Sequence, residues 1–94
     1  MGMPTEELIS MREEMDSLNN EMLAVFLRRL ALSSRIIELK DRLGMPPHDP
    51  TRESAIIAEM CEAAGEAHAP YTARFFENLL EVSRLYAAGI VQKR

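Results

Sequence analysis

The strongest constraint on the fold is a helical repeat of apolar residues that runs through residues 5–43 without a Gly or Pro. The repeat steps by three and four residues, the spacing of one face of an α-helix. Its members are Leu8, Met11, Met15, Leu18, Met22, Val25, Leu32 and Ile36. Gly44 and Pro46 then end the helix. At about 1.5 Å per residue, such a helix is roughly 58 Å long.

That length exceeds what one small domain can cover. A compact domain of this size has a radius of gyration near 12 Å, by the approximate scaling for globular chains. Two shorter helices of the same chain therefore cannot bury the whole apolar seam. We expect the seam to pack against a second copy of the chain, in an obligate homodimer.

Two shorter helices follow the long one. Asp49 can cap the second helix, with Pro50 at its first position, and this helix stops near Gly65. A third helix starts around residues 68–70 and carries an apolar stripe that includes Phe75 and Leu79. The sequence thus predicts an all-α fold of a long, a short and a medium helix, in a single domain over residues 1–94.

Composition narrows the functional class. The formal charge of −4 and the lack of a basic stripe disfavour nucleic-acid binding. No apolar run is long enough to span a membrane, and no secretory signal is visible. Cys61 stands alone, which fits a reducing cytoplasm, and His48 and His68 are too separated to suggest a metal cluster. We expect a cytoplasmic protein without a metal or other cofactor.

Two cations on the long helix suggest a small anionic ligand. Arg29 occupies a seam position, where a buried guanidinium without a partner is strongly unfavourable. Lys40 lies about 16 Å further along nearly the same face. Their long side chains can hold a small polyanion between them. The alternative for Arg29 is that it extends to solvent or pairs with a core acid.

Other candidates also have an ordinary structural interpretation. Arg12 lies about 25 Å before the seam arginine, so it can reach such a ligand only from an antiparallel partner chain; otherwise it is a solvated surface residue. Asp49 can simply cap the second helix, with Arg52 exposed and Glu53 as a favourable first-turn charge. Ser83, on an apolar stripe, can bond to a carbonyl one turn earlier.

The combined pattern resembles the AroQ-type chorismate mutases, an all-helical family, over about residues 8–86. The segments that carry the resemblance are residues 11–18, Arg29, Lys40, residues 49–53, 75–76 and 83–84. The resemblance implies an intertwined homodimer with a long first helix. It also implies a cofactor-free enzyme of aromatic amino acid biosynthesis, on the shikimate pathway, that rearranges the dicarboxylate chorismate to prephenate.

The resemblance also implies roles for individual residues. Arg12, donated across the dimer interface, and Arg29 would bind the two substrate carboxylates. Lys40 would bind a carboxylate and the ether oxygen whose bond breaks. The residues assigned to catalysis are Arg29, Lys40 and Glu53.

The remaining roles concern the ring of the substrate. Asp49 and Glu53 would hold the ring hydroxyl, with Arg52 supporting the site. Ser83 would bind a ring-side carboxylate.

Ala87 departs from the family pattern. The family usually has Gln or Glu at this position, donating to the ether oxygen; Tyr86 points about 100° away, and Gln92 lies more than a turn beyond. We therefore expect a slow mutase, unless a pathway enzyme activates it. The alternatives are a related enzyme acting on 4-amino-4-deoxychorismate or isochorismate, and a non-catalytic helical module for dimerisation or ligand sensing.

Overall fold

The computed structural model describes residues 4–92, which form three helices and, within that range, no strand. Helix α1 spans Pro4–Arg42, α2 spans Pro50–Ala64 and α3 spans Ala69–Gln92. The order of long, short and medium helices confirms the predicted all-α fold.

Helix α1 ends in a turn that depends on Gly44. The Met45 N–H donates to the Lys40 carbonyl at 2.8 Å, and the Gly44 N–H donates to the Asp41 carbonyl at 3.1 Å. This pair of bonds is the Schellman arrangement, which needs a residue of positive φ just after the helix. Gly44 meets that need with a φ of 68°. The last turn of α1, which carries Lys40, is therefore defined by local sequence.

Helix α2 begins at the predicted cap. Asp49 has extended backbone angles, φ −129° and ψ 90°, and Pro50 follows in the first turn. The Asp49 side chain accepts a hydrogen bond from the Arg52 N–H at 3.1 Å. This bond satisfies one of the amide groups that a helix start leaves without an intrahelical partner. It also places Glu53 in the first turn of α2.

The described chain divides into two compact units, residues 4–31 and residues 32–92. In the first unit, the side chains of the predicted seam lie on the surface of the single chain. Their exposed fractions are 46% for Leu8, 62% for Met11, 58% for Met15, 52% for Leu18, 54% for Met22 and 58% for Val25.

In the second unit, α2 packs against α3. The buried apolar residues of the described chain are Ile37, from the last turns of α1, and Leu80, from the middle of α3. Both side chains also line the cleft described next. The small core of this unit therefore forms one wall of a cavity.

Candidate active site

A cleft of about 510 Å³ is the candidate site of the second unit. Its volume lies within the range of roughly 300–1,000 Å³ that is usual for small-molecule sites. Helix α1 contributes Ser33, Ile36, Ile37 and Lys40. Helix α3 contributes Leu80, Ser83, Arg84, Ala87, Ala88, Val91 and Gln92. Pro47 and His48, from the segment between α1 and α2, and Glu53, from α2, complete the lining.

Lys40 brings a cation to the cleft from the last turn of α1. Its side chain is half-buried, and its Nζ donates to the Pro47 carbonyl oxygen at 3.3 Å. An ammonium group has three donors, so this bond leaves two for a ligand. The contact with Pro47 holds the amine near the cleft while leaving it able to bind an anion.

Glu53 is the one carboxylate among the cleft-lining residues that the structure describes. Its Oε1 accepts a hydrogen bond from Nη1 of Arg84, which belongs to α3. Its Oε2 lies 3.1 Å from Nε2 of His48, which precedes α2. The Glu53 side chain is 19% exposed, whereas those of Arg84 and His48 are 43% and 50% exposed. The least exposed member of this group is thus the carboxylate, with a nitrogen partner on each oxygen.

Ser83 and Ala87 lie one turn apart on the α3 wall of the cleft. The Ser83 hydroxyl donates to the Leu79 carbonyl at 2.9 Å, which confirms the backbone bond expected of a Ser in a helix interior. Ala87 is half-buried and presents only a methyl group. Position 87 therefore belongs to the cleft but supplies no hydrogen-bond donor to it.

The structure brings four of the predicted site positions together. Lys40, Glu53, Ser83 and Ala87 all line the cleft. Their arrangement on three helices explains how positions up to 47 residues apart in the chain can act on one ligand.

The other predicted site residues are not among those that line the cleft. Asp49 and Arg52 are exposed, do not line the cleft, and bond to each other at the start of α2. Arg12 and Arg29 belong to the unit of residues 4–31, in which Arg12 is exposed and Arg29 is half-buried. For Asp49, the capping role is confirmed, and its role toward a ligand stays a prediction.

Four polar residues of the cleft received no role from the sequence: Ser33, His48, Arg84 and Gln92. Arg84 and Gln92 follow Leu80 at intervals of four and twelve residues, with Ala88 between them at eight, so they continue one helical stripe. That stripe adjoins the one that carries Ser83. Because Arg84 is the next residue after Ser83 on a predicted helix, the sequence could have identified it as a further cleft residue. In contrast, nothing in the sequence pairs His48 with Glu53.

Within residues 4–92, no group of three or more His, Cys, Asp or Glu side chains is placed to hold a metal ion. None of the described helices combines the length and the apolar character needed to cross a membrane.

Comparison with known proteins identifies the family. Residues 11–88 match the family model described as chorismate mutase type II. The chorismate mutase of Methanocaldococcus jannaschii is 33% identical over 60 residues, which cover 61% of this chain and 61% of that protein. The T-protein of Haemophilus influenzae is 38% identical over 52 residues, covering 55% of this chain and 14% of that protein.

A bifunctional chorismate mutase/prephenate dehydratase of Aquifex aeolicus is 33% identical over 63 residues, covering 67% of this chain and 17% of that protein. The match thus spans less than two thirds of the length of each of these relatives. No solved structure matches the chain significantly. Because the family model covers most of the chain, and the cleft carries four of the positions that the resemblance predicted, the chain belongs to the chorismate mutase type II family.

Proposed function

We propose that this chain rearranges chorismate to prephenate in the cleft between Lys40 and Ser83. The observation that carries the proposal is the convergence of Lys40, Glu53 and Ser83 on one cavity of about 510 Å³ in a chain of this family. The reaction is an intramolecular [3,3] rearrangement, in which a C–O bond breaks as a C–C bond forms. It needs no proton transfer, nucleophile or cofactor, so fixed charge and shape are sufficient for catalysis.

Lys40 supplies the charge. As the ether bond breaks, negative charge gathers on its oxygen, and a positive group already in place there lowers the barrier without having to reorganise. The bond to Pro47 orients the amine, and the two remaining donors can bind the ether oxygen and a neighbouring carboxylate. Half-burial of Lys40 strengthens this interaction, because the effective dielectric constant is lower there than in bulk water.

The apolar walls supply the shape. Ile37, Leu80 and Val91 line the cleft together with the polar groups. Such walls can hold the enolpyruvyl arm of the substrate over its ring in the reactive conformation, which removes an entropic part of the barrier. Glu53 accepts a hydrogen bond from the ring hydroxyl, and the Ser83 hydroxyl turns from the Leu79 carbonyl to donate to the ring-side carboxylate. Ala87 supplies no second donor to the ether oxygen, so we expect slow turnover unless a partner enzyme of the same pathway activates the chain.

The proposal includes a homodimer in which the partner subunit completes each site. The exposed seam of residues 4–31 supports this, because an apolar surface of such extent is unusual for a monomer. Arg29 then binds one substrate carboxylate and Arg12 of the partner subunit binds the other, while Asp49 joins Glu53 in holding the ring hydroxyl and Arg52 supports the site. We further propose that the enzyme works in aromatic amino acid biosynthesis in the cytoplasm.

Mixed dimers test the shared site. An Arg12→Ala chain and an Arg29→Ala chain should each be inactive alone, because every site lacks one carboxylate-binding arginine. After subunit exchange, a heterodimer should hold one intact site and recover activity. The matched control mixes Arg12→Ala with Arg12→Ala/Arg29→Ala chains, in which no site is intact. Equal activity in the two mixtures would contradict a site built from two subunits.

The direct test of the reaction is to incubate the purified chain with chorismate and to identify the product. We expect loss of chorismate absorbance with formation of prephenate. Conversion of 4-amino-4-deoxychorismate or release of pyruvate from isochorismate, without turnover of chorismate, would replace the proposal with one of the related pericyclic activities. Binding without turnover of any of the three substrates would indicate a ligand-sensing module.

A further inference from the structure

We infer that Arg84 is a positioning residue that holds Glu53 in the orientation in which it recognises the ring substituent of the substrate. This inference rests on the proposed function and assigns a role to a cleft residue that the family pattern leaves without one. Arg84 lies next to Ser83 on α3, whereas Glu53 is in the first turn of α2, 31 residues away in sequence. Their ion pair therefore joins the two helices across the wall of the cleft.

Arg84 and His48 together fix the orientation of the Glu53 carboxylate. A carboxylate at the end of a flexible Glu side chain rotates unless both of its oxygens are engaged. Here Arg84 donates to Oε1, and Nε2 of His48 lies 3.1 Å from Oε2. Each carboxylate oxygen can accept two hydrogen bonds, so an acceptor position remains on each. Glu53 is thus held by two partners from different parts of the chain and can still accept a bond from a ligand.

A fixed orientation makes Glu53 selective for a ring substituent that donates a hydrogen bond. A carboxylate that is already oriented by donors can accept only from a ligand that offers a donor of its own, such as a hydroxyl or ammonium group. A site built to bond such a group discriminates strongly against an analogue that lacks it, because the site's own polar atom then stays unpaired. Arg84 therefore enables Glu53 to recognise the ring substituent, although Arg84 itself does not contact the substrate.

Arg84 also balances the negative charge of Glu53. The substrate is a dianion, and Glu53 alone would repel it. Arg84 brings a positive charge to the side of this carboxylate. With Arg84 and Lys40 both lining the cleft against the one carboxylate, the permanent charges of the cavity sum to a positive value. Arg84 offsets the charge of Glu53 and thereby reduces the repulsion between this carboxylate and an anionic ligand.

The experiment compares Arg84→Gln with Arg74→Gln and with Arg84→Lys. Arg74 is an exposed residue of the same helix that does not line the cleft, so its substitution removes the same charge at a distance from the site. We expect Arg84→Gln to lower kcat/KM for chorismate by roughly fivefold to thirtyfold, the factor that corresponds to losing one or two kcal/mol of interaction. Arg74→Gln should match the wild type, and Arg84→Lys, which keeps the charge and a donor, should recover part of the loss.

The loss should appear mainly in KM. The ring substituent takes no part in the bond changes, so its recognition binds the ground state and the transition state alike. A merely structural role for Arg84 would instead lower the melting temperature and the fraction of folded enzyme, and would reduce kcat with KM unchanged. Circular dichroism on the same samples separates these outcomes, and Arg84→Gln is expected to fold because the side chain is 43% exposed.

Combining Arg84→Gln with Glu53→Gln decides between positioning and direct contact. If Arg84 acts through Glu53, the double variant should be little worse than Glu53→Gln alone, because neighbours that act as a unit are not additive. The loss caused by Arg84→Gln should also become smaller on a chorismate analogue that lacks the ring hydroxyl, where only the uncompensated charge of Glu53 still matters.

Four results would overturn the inference. Additive losses in the double variant, or an equal loss on the hydroxyl-free analogue, would mean that Arg84 binds the substrate directly. An Arg84→Gln variant equal to an active wild type would remove Arg84 from the site and leave the proposed function standing. A wild type and an Arg74→Gln variant that both fail to convert chorismate would overturn the function and the inference together.

Discussion

Replacing Ala87 with Gln should accelerate the reaction. The side chain at position 87 lines the cleft one turn after Ser83, on the wall to which Arg84 also belongs. A Gln there would point its amide into the cavity that Lys40 reaches from α1. Its N–H would act on charge that is present only as the ether bond breaks, so the gain should lie in kcat rather than in KM.

The size of the expected gain in kcat depends on how well Ala87 is shielded from water. Removing a donor from a well-enclosed oxyanion site typically costs about 2.7–4 kcal/mol, on the order of a hundredfold to a thousandfold in rate. Ala87 is only half-buried, and its neighbour Ala88 is exposed, so water competes for the same oxygen. We therefore expect a gain near the low end of what one hydrogen bond supplies, about 1.4 kcal/mol, or roughly tenfold.

The assay follows chorismate loss at saturating and at limiting concentrations, so that kcat and KM are obtained separately. Ala87→Met is the matched control, because it adds a side chain of similar length without an amide. We expect Ala87→Met to be no faster than the wild type. An Ala87→Gln variant that folds and shows no gain would refute the reasoning.

Gln92 offers a physical explanation if Ala87→Gln shows no gain in rate. It lines the same cleft on the stripe of Arg84 and Ala88. If its amide already serves the ether oxygen, Ala87→Gln adds little and Gln92→Ala is strongly impaired. The pair of variants thus identifies which position of α3 carries the donor.

Further predictions concern stability and assembly, with all unfolding measured at equal protein concentration because the free energy of unfolding of a dimer depends on it. Asp49→Ala should lower the free energy of unfolding in urea by about 1 kcal/mol through loss of the bond to the Arg52 N–H, whereas Asp49→Asn should change it by only a few tenths. Leu80→Ala should cost about 2–5 kcal/mol because Leu80 is only 5% exposed, whereas the exposed neighbour Glu81→Ala should stay within about 0.5 kcal/mol. Sedimentation at micromolar concentration should show a dimer, and a stable folded monomer of 10.7 kDa would contradict the proposed assembly.

The helices could be predicted from the sequence because their ends are set by local chemistry. Gly44 supplies the positive φ that closes α1, and Asp49 with Pro50 starts α2, as their residue types indicate. The cap bond of Asp49 joins residues only three positions apart, so it needs no knowledge of the tertiary fold. Such signals depend only on residues that are close together in the sequence.

The cleft could be predicted only in part. Lys40 stood out because it lies on nearly the same helix face as Arg29, and Ser83 because it interrupts an apolar stripe; the structure places Lys40 and Ser83 on one cavity. The bond between Arg84 and Glu53 joins residues 31 positions apart, and its existence depends on how α2 packs against α3. Arg84 therefore received no role from the sequence, and no periodicity could pair it with Glu53.

Lys40 is the residue on which the proposed chemistry depends, so the rate of prephenate formation by Lys40→Ala should be measured beside Arg42→Ala. Arg42 is an exposed cation in the same last turn of α1 and does not line the cleft, so it controls for the loss of one charge. Lys40→Ala should lose about a hundredfold to a thousandfold in kcat/KM, the usual effect of removing one oxyanion-stabilising group, while Arg42→Ala keeps wild-type activity. Full activity in a folded Lys40→Ala variant would contradict electrostatic catalysis in this cleft.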